Sequence, residues 1–447
     1  MKNFIINIIK KNILYFNIIL SLILVLYFFF KSEIIYEGTN RDHFLKYYIL
    51  SFSYLILAIL VYKISHNLNK VAIIITLSIF ASFYSFEFYL SKNFYLDENL
   101  NVKIKKYEKD SNKDWDHRTQ YQVYEELLKT KKNVVPYFYP SELVLKNKLK
   151  IHSLAGVSNS LTVFCNENGY YSINLSDRYG FNNPDSEWDA NEIDYVFVGD
   201  SFTHGYCVNR PHDIPSVIRK NYSKTVLNLG YGRNGPLIEY ATLREYLPMN
   251  VKKIIFMYYE HNDLDNLQKE LTNNILFNYI KNENFSQNLM DKQTLIDYEK
   301  RKHISARSDG AKFEFLKLRK TRKAIKEITF LQKNKKNSNL SDNYKLEKLE
   351  RILLLSKKLA SERKSDFYFV YLPSPIYYFE NKQFPEESLY FNQIRSMVNR
   401  LNINFIDIHK EVFEKEKNPT KLFPFELSGH YNIEGYKKVA EAIYTSK

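Results

Sequence analysis

Hydrophobic and polar positions divide the chain into a strongly apolar first part and a longer part in which short apolar runs alternate with amphipathic stretches. Three apolar runs lie near the start, at residues 12–30, 47–62 and 71–90. About 20 such residues cross a bilayer, and no small-residue cleavage site follows the first run as it would in a signal peptide. The pattern therefore predicts three transmembrane helices within residues 1–90.

The remainder of the chain predicts an α/β domain. Strand-like runs are followed by amphipathic, helix-like stretches; the predicted strands lie at residues 195–198, 226–229, 254–259, 367–372 and 403–408. This alternation predicts a five-stranded parallel sheet with helices on both faces, whose ligands bind beyond the carboxyl ends of the strands. Residues 91–150 are polar and predict a tether with some helix. Residues 151–447 predict the main domain, with a basic helical insertion at about 264–341.

One predicted strand is followed by a serine that is a candidate nucleophile. In residues 195–204 (YVFVGDSFTH) the apolar run stops at Gly199, and Ser201 lies on the turn into a predicted helix. The N–H groups and positive dipole end of a helix N-terminus stabilise negative charge on a bound carbonyl oxygen, which suits a serine nucleophile. For this segment alone, a serine that merely caps the helix is the structural alternative.

Three further segments supply the other parts of an ester-cleaving site in a consistent order. Gly232 lies in a glycine-rich turn after the second strand, Asn262 ends the third strand, and His430 precedes a terminal helix that Asn432 caps. A neutral imidazole takes and returns the proton of Ser201 near pH 7, while the turn N–H and the Asn262 amide hold the oxyanion.

In these four segments the chain resembles the SGNH (GDSL-type) hydrolase and acyltransferase family, whose blocks carry Ser, Gly, Asn and His in this order. The resemblance covers residue 194 to the C-terminus apart from the long middle region. It implies a flavodoxin-like parallel sheet, Ser201 and His430 as catalytic residues, and oxyanion donors at Ser201, Gly232 and Asn262. It calls for no cofactor and no metal.

The chain departs from the family pattern at two places. The family usually has an Asp two or three residues before its His, where this chain has Ser428 and Leu427. Glu426 is the nearest carboxylate that could orient His430; otherwise the serine and histidine would act as a dyad. An ungapped match also puts Arg233 at the oxyanion glycine. Either backbone N–H could serve, and Gly232 is favoured because close backbone approach costs glycine least.

Other hydrolase designs fit less well. The nucleophile elbow G-x-S-x-G would need a glycine where this chain has Thr203. A metal site could be imagined from four polar residues after the third strand: Glu260, His261, Asp263 and Asp265. Near-consecutive side chains point in different directions on a strand or helix, so the sequence does not favour metal catalysis.

Composition and charge add little to the functional assignment but raise two structural questions. The net charge of +14 comes without a nucleic-acid-binding motif, so no nucleic-acid partner is expected. Basic residues cluster in the insertion, at residues 301–336. Two interpretations stay open: a helix that contacts anionic headgroups or glycans, and a solvated insertion. Cys165 and Cys207 could form a disulfide or remain as two buried thiols.

Charges flanking the apolar runs predict an orientation in the cytoplasmic (inner) membrane. The residues that favour a cytoplasmic N-terminus and second loop are Lys2, Lys10, Lys11, Lys63 and Lys70. Basic residues in the first loop weaken the contrast: Lys31, Arg41 and Lys46. Under the positive-inside rule, three spans place the C-terminal domain outside the cytoplasm.

The sequence thus predicts a membrane-anchored enzyme that acts on ester bonds through an acyl-serine intermediate. Water as acceptor makes an esterase, and a sugar hydroxyl makes an O-acyltransferase. The resemblance to membrane-linked members of the family implies an acylated cell-surface glycan as substrate. Three spans are too few for a familiar acyl carrier, so transfer would need a separate membrane acyl-donor protein. The alternative is a catalytically silent glycan-binding or scaffold protein, suggested by the missing Asp and by Arg233.

Overall fold

Helices and strands follow one another along the chain in the order in which they are numbered here. The α-helices are α1 (Phe16–Phe29), α2 (Arg41–Ile64), α3 (His66–Asn93), α4 (Glu98–Ser111), α5 (Gln120–Leu128), α6 (Ser201–His204), α7 (Ile214–Tyr222), α8 (Pro236–Tyr246), α9 (Asp263–Glu270), α10 (Asn274–Lys281), α11 (Gln293–Ala311), α12 (Arg319–Lys333), α13 (Asp342–Glu362), α14 (Ile376–Phe379), α15 (Phe391–Arg400) and α16 (Ile433–Thr445). The strands are β1 (Val134–Pro136), β2 (Ser141–Val144), β3 (Lys150–Ser153), β4 (Leu161–Val163), β5 (Ile173–Leu175), β6 (Ile193–Val198), β7 (Val226–Asn228), β8 (Val251–Tyr259), β9 (Asp366–Leu372) and β10 (Asn404–Asp407).

The structure, a computed structural model, describes residues 14–36, 38, 41–93, 98–145, 149–311, 315, 317–333, 340–380 and 382–446. The chain forms two units. The first comprises Met1–Leu96 and Ala306–Asn337, and the second comprises Asp97–Ser305 and Ser338–Lys447. The polypeptide therefore leaves the second unit after Ser305 and returns to it at Ser338.

The first unit contains the three apolar helices. Among the described residues, Phe16–Ile35, Arg41–Ile64 and His66–Ser91 are long and apolar enough to cross a membrane. The few polar groups along them pair with each other: the Tyr54 hydroxyl donates to Asn17 Oδ1 at 3.1 Å, and Asn69 Nδ2 donates to the Leu14 carbonyl at 2.9 Å. The prediction of three long apolar helices is confirmed.

The basic helix α12 packs on α3 within the first unit. Glu87, near the end of α3, is 1% exposed, and its two carboxylate oxygens accept the backbone N–H groups of Lys320 and Thr321 at 3.1 and 2.7 Å. These N–H groups belong to the first turn of α12, which has no intrahelical partners for them. The carboxylate therefore caps α12 from the apolar helix.

The second unit is built on a five-stranded parallel sheet in the order β10-β9-β8-β6-β7. The chain winds outward in one direction from β6 to β7 and in the other from β8 to β10, which is the flavodoxin-like order. The reversal places a crevice between the carboxyl ends of β6 and β8. The prediction of a parallel five-stranded sheet is confirmed, and β6 and β8 are the strands that precede Ser201 and Asn262.

Alternate residues of each strand enter two separate hydrophobic cores, as the twofold period of a strand requires. On β8, Phe256 and Tyr258 pack on one face with apolar residues of α8, α13 and α15. Ile255 and Met257 pack on the opposite face with those of α7 and α16. Helices therefore cover both faces, which explains why the strands are apolar throughout rather than alternating.

The segment expected to be a polar tether belongs to the second unit. Between α5 and β6 lie a three-stranded sheet of order β1-β4-β5 and the antiparallel hairpin β2–β3. Trp115, after α4, is only 6% exposed, and α5 starts with a capping box between Thr119 and Gln122. Aromatic side chains spaced along this polar stretch supply the buried contacts, which the overall polarity of the stretch obscures. The expected insertion also divides: α9 and α10 lie in the second unit and α12 in the first.

Candidate active site

Ser201 and His430 meet at the carboxyl end of β6. The Ser201 hydroxyl lies 2.9 Å from His430 Nε2. Asp200 caps the one-turn helix α6 by accepting the Phe202 N–H at 2.9 Å, which positions Ser201 at the first residue of that helix. A second acceptor, Asp200 Oδ2, lies 3.2 Å from the same hydroxyl. The shorter contact aligns the hydroxyl proton with the imidazole.

The imidazole contacts two aromatic rings, each tilted by about 40° from its plane. Its centroid lies 4.8 Å from that of Phe202 and 4.6 Å from that of Tyr206. His430 itself lies in the loop before α16, whose N-cap Asn432 accepts the Gly435 N–H at 2.9 Å. The two rings and the capped helix restrict the ring to the orientation that Ser201 requires.

A carboxylate that the sequence did not single out holds the other side of His430. Glu167 Oε1 lies 3.0 Å from His430 Nδ1, and Oε2 accepts the His430 backbone N–H at 2.9 Å. A carboxylate only accepts hydrogen bonds, so Nδ1 carries the proton of the neutral imidazole. Nε2 therefore has a free lone pair, which accepts the hydroxyl proton of Ser201. Glu167, His430 and Ser201 thus form a continuous hydrogen-bonded row.

Glu426, the carboxylate considered from the sequence, points elsewhere. Both Phe425 and Glu426 have left-handed backbone conformations, with φ of 59° and 55°. Glu426 is exposed, and its Oε2 accepts a hydrogen bond from Asn418 Nδ2 at 3.3 Å. The turn therefore carries its side chain to the surface, and the structure puts Glu167 at the position for which Glu426 was considered.

The loop that carries His430 is fastened by the helix α4. Lys103 Nζ donates to the Ser428 carbonyl at 2.8 Å, and Lys106 Nζ donates to the Phe425 carbonyl at 2.8 Å. A Cβ on Gly429 would lie 2.9 Å from Glu167 Oε2, so only glycine allows that carboxylate to reach the backbone here. Residues of the expected tether thus position His430.

A disulfide ties the segment that carries Glu167 to the segment that carries Ser201. Cys165 and Cys207 are bonded, which settles the choice that the sequence left open. Cys165 lies two residues before Glu167, and Cys207 lies six residues after Ser201. Asn168 Nδ2 adds a hydrogen bond to the Cys207 carbonyl at 3.0 Å. The cross-link therefore constrains the distance between the carboxylate and the nucleophile.

Charge interactions shift the pKa values of Glu167 and His430. Burial opposes the charge on Glu167, but the charge and hydrogen bonds of His430 outweigh it and lower the pKa of Glu167 to about 2. Burial likewise opposes the charge on His430, but Glu167 outweighs it and raises the pKa of His430 above its ordinary value. The pair therefore favours a carboxylate beside an imidazole that is a stronger base than a free histidine.

Asn262 lines a cavity together with Glu167 and His430. The cavity, here called the His430 cavity, has a volume of about 410 Å³ and includes Glu167, His430 and Asn262 in its lining. On one side its wall is apolar, formed by Pro375, Ile376 and Phe379. The Asn262 side chain makes no hydrogen bond to any residue in the described part of the chain, and its Oδ1 is buried. Its amide is therefore available to a ligand.

In the turn after β7, Gly232 and Arg233 have different structural roles. A Cβ on Gly232 would lie 2.4 Å from the Tyr137 hydroxyl, which donates to the Gly232 carbonyl at 3.2 Å. Glycine is thus needed there for packing against Tyr137. The left-handed conformation, with φ of 66°, falls at Arg233, which lines a cavity together with Asn262. The oxyanion donor in this turn therefore stays a prediction, with the Gly232 N–H favoured and the Arg233 N–H as the alternative.

Replacing Asn262 tests its part in binding the oxyanion. We expect Asn262→Ala to lower kcat for ester hydrolysis by about 10²–10³, because one preorganised donor to the developing charge is lost. The matched control is Asn399→Ala, which removes an exposed amide on α15. Steady-state kinetics on a p-nitrophenyl ester measures both. Equal rates for Asn262→Ala and the unmodified protein would remove Asn262 from the site.

The four polar residues considered as metal ligands are separated by their partners. Glu260 accepts from the Ser374 N–H and the Tyr377 hydroxyl, while Asp263 accepts from the Tyr259 N–H at 2.7 Å. In the described part of the chain no group of three or more His, Cys, Asp and Glu side chains is arranged to hold a metal ion.

Comparison with known proteins finds similarity among solved structures only. One is described as a putative lipolytic protein of the G-D-S-L family from Desulfitobacterium hafniense DCB-2; it is 15% identical, with a TM-score of 0.31, over 57% of this chain and 100% of that chain. A member of the lipolytic protein G-D-S-L family from Veillonella parvula DSM 2008 is 13% identical, with a TM-score of 0.31, over 56% and 96%. The acetyl xylan esterase AlAXEase is 13% identical, with a TM-score of 0.32, over 57% and 98%. No protein-family model and no curated protein matches the chain.

Proposed function

We propose that this protein is a membrane-anchored serine enzyme that cleaves or transfers ester-linked acyl groups. The observation that carries the proposal is the row Glu167–His430–Ser201, with contacts of 3.0 and 2.9 Å. Two members of the row, Glu167 and His430, line a cavity that Asn262 also lines. Nucleophile, base, orienting carboxylate and oxyanion donor are the parts that acyl transfer through a serine requires. With Glu167 in the row, the missing Asp no longer argues for a silent protein.

In the first half of the reaction, Ser201 Oγ forms a bond to the carbonyl carbon of the ester. Its proton passes to His430 Nε2, and the negative charge that develops on the carbonyl oxygen is held by Asn262 and the backbone N–H groups of Ser201 and Gly232. The tetrahedral intermediate then collapses and the bond to the alcohol oxygen breaks. His430 gives the proton to the leaving alcohol, and an acyl-serine remains.

In the second half, water or a sugar hydroxyl attacks the acyl-serine. His430 removes the proton of the attacking group and returns it to Ser201 Oγ as the acyl bond breaks. Glu167 stays ionised throughout and stabilises the imidazolium that forms twice in each cycle. Water gives an esterase and a sugar hydroxyl gives an O-acyltransferase.

We further propose an acylated glycan outside the cytoplasm as the substrate, with the protein in the cytoplasmic membrane. The Cys165–Cys207 disulfide supports an oxidising compartment, and three spans preceded by lysines support an external second unit. An acyl donor in the membrane would be a separate protein.

Covalent labelling tests the central step. We expect a fluorophosphonate probe to label the full-length protein in detergent, because the paired imidazole makes Ser201 nucleophilic, and we expect the adduct on the peptide that contains Ser201. Intact-mass and peptide mass spectrometry measure both. His430→Ala should lose labelling, whereas His261→Ala should keep it.

An unlabelled protein that still shows a cooperative thermal transition would contradict the proposal. An adduct on another serine would equally contradict it, because the reactive group would then lie outside the described row.

A further inference from the structure

A second cavity adjoins the first at Asn262. This cavity, here called the Arg233 cavity, has a volume of about 680 Å³ and is lined by Arg233, Asn262, Asn266, Lys269 and Asn273 among other residues. Asn262 also lines the His430 cavity. A group bound in the Arg233 cavity would therefore lie beside the carbonyl that Asn262 holds.

Two cations, Arg233 and Lys269, line this cavity. Neither the guanidinium of Arg233 nor the ammonium of Lys269 makes an ion pair or a hydrogen bond with any residue that the structure describes. Arg233 lies over the ring of Tyr139, 3.8 Å from its centroid, and its left-handed backbone is an unusual conformation for a residue with a side chain. The stacking and the backbone together fix the guanidinium beside the cavity.

The other ionisable residues of the lining do not cancel this positive charge. Glu270 Oε1 accepts the Gly235 N–H at 2.6 Å and Oε2 accepts the Leu237 N–H at 3.0 Å, so the carboxyl group is directed at the start of α8 and offsets at most one of the two cations. Burial raises the pKa of Glu270 to about 7. Burial, with a smaller effect of Lys300, lowers the pKa of His152 to about 4, so this histidine is neutral at pH 7. The cavity is therefore cationic.

The two cavities differ in chemistry in a way that matches the two halves of an ester. The His430 cavity has the apolar wall of Pro375, Ile376 and Phe379, which suits an acyl group. The Arg233 cavity offers amides and two cations, which suit hydroxyl groups and an oxyanion. A planar guanidinium binds carboxylate and phosphate through paired hydrogen bonds.

We infer that the Arg233 cavity binds an acidic sugar on the alcohol side of the ester, with Arg233 and Lys269 pairing with its carboxylate or phosphate. This inference rests on the proposed function and narrows its substrate from glycans in general to anionic ones. Discrimination against a neutral sugar follows because the two cations stay unpaired when a neutral sugar binds.

The test compares three acetylated sugars on the full-length protein: a methyl glucoside, a methyl glucuronoside and a methyl glucoside 6-phosphate. We expect kcat/KM to be about tenfold or more higher for at least one acidic ester than for the neutral ester. Lys269→Gln and Arg233→Gln should each lower that ratio roughly five- to tenfold, and Arg233→Gln keeps the backbone N–H. Lys220→Gln, an exposed charge on α7, is the matched control and should leave the ratio unchanged. A higher rate for the glucuronoside or the phosphate identifies which oxyanion the cations take.

Binding separates this inference from the proposed function. Calorimetry with unesterified oligogalacturonate and with a sugar phosphate needs no turnover, so it reports on the cavity even if no ester is cleaved. Binding that weakens at least fivefold in both variants supports the inference. Equal kcat/KM for acidic and neutral esters, or anion binding that is unchanged in both variants, overturns the inference. Ser201-dependent cleavage of the neutral ester would still uphold the proposed function.

Discussion

Ser201→Ala is expected to lower kcat for ester hydrolysis by about 10⁴–10⁶. The hydroxyl is the atom that bonds to the substrate, so no partial substitute remains, and the residual rate comes from the oxyanion donors and substrate binding alone. Steady-state hydrolysis of p-nitrophenyl acetate by the full-length protein measures the loss. Removal of one hydroxyl with two acceptors, His430 and Asp200, should change the unfolding midpoint by only a few degrees.

The matched control for this variant is Ser361→Ala on α13. The Ser361 hydroxyl is exposed and bonds only to its own helix, at the Lys357 carbonyl. Its rate should equal that of the unmodified protein. Full turnover by a folded Ser201→Ala protein would end the serine mechanism proposed here and, with it, the role of His430 as base.

Glu167→Gln is expected to lower kcat by about 10³–10⁴, the second largest effect. Glutamine keeps the size of the side chain and can still accept the His430 backbone N–H. It removes the charge that stabilises the imidazolium and the acceptor that fixes the ring tautomer. Glu167 acts through His430 and is a positioning residue, so a loss of rate alone would not distinguish its charge from its shape.

The acidic limb of the pH–rate profile makes that distinction. In the unmodified protein Glu167 raises the pKa of His430, so activity should fall as the pH drops through a value above about 6.5. In Glu167→Gln the raising charge is gone and burial lowers the pKa, so the limb should move to lower pH. The matched control, Glu426→Gln, should stay within about threefold of the normal kcat and keep the limb. A loss of kcat in Glu426→Gln but not in Glu167→Gln would assign the orienting role to Glu426 instead of Glu167.

Much of the fold follows from local pattern. Each strand of the main sheet is a short apolar run bounded by turns, so the five predicted strands correspond to β6 to β10, and their parallel arrangement follows from the intervening helices. The three apolar runs follow equally from length and hydropathy. Ser201, Asn262 and His430 each lie at the end of such an element, and a sequence pattern therefore locates them.

The carboxylate on His430 could not be located in this way. Glu167 lies 263 positions before His430, in a run (Asn166 to Gly169) whose local pattern predicts only a turn. One signal was present: a bond between Cys165 and Cys207 would bring Glu167 near Ser201. Because two cysteines alone do not say whether they are bonded, that signal could not be used.

The structural roles of Gly232 and Arg233 could not be predicted from the sequence for a different reason. A glycine in a turn suggests backbone freedom, but here glycine leaves room for the Tyr137 hydroxyl, 95 residues earlier in the chain. The polarity of residues 98–145 misleads similarly, because Lys103 and Lys106 use their charged ends to hold the loop of His430. Long-range contacts of this kind leave no periodic trace in the sequence.

The capping of α12 by Glu87 bears on whether proteolysis can separate the two units of the chain. The polypeptide passes between the two units at Leu96, Ser305 and Asn337, so a single cut before Asp97 leaves the released piece still carrying α12. That helix keeps its hydrogen bonds to the carboxylate of α3. One cut before Asp97 therefore leaves the second unit joined to the first, and separating the two units would require two more cuts, one on each side of residues 306–337.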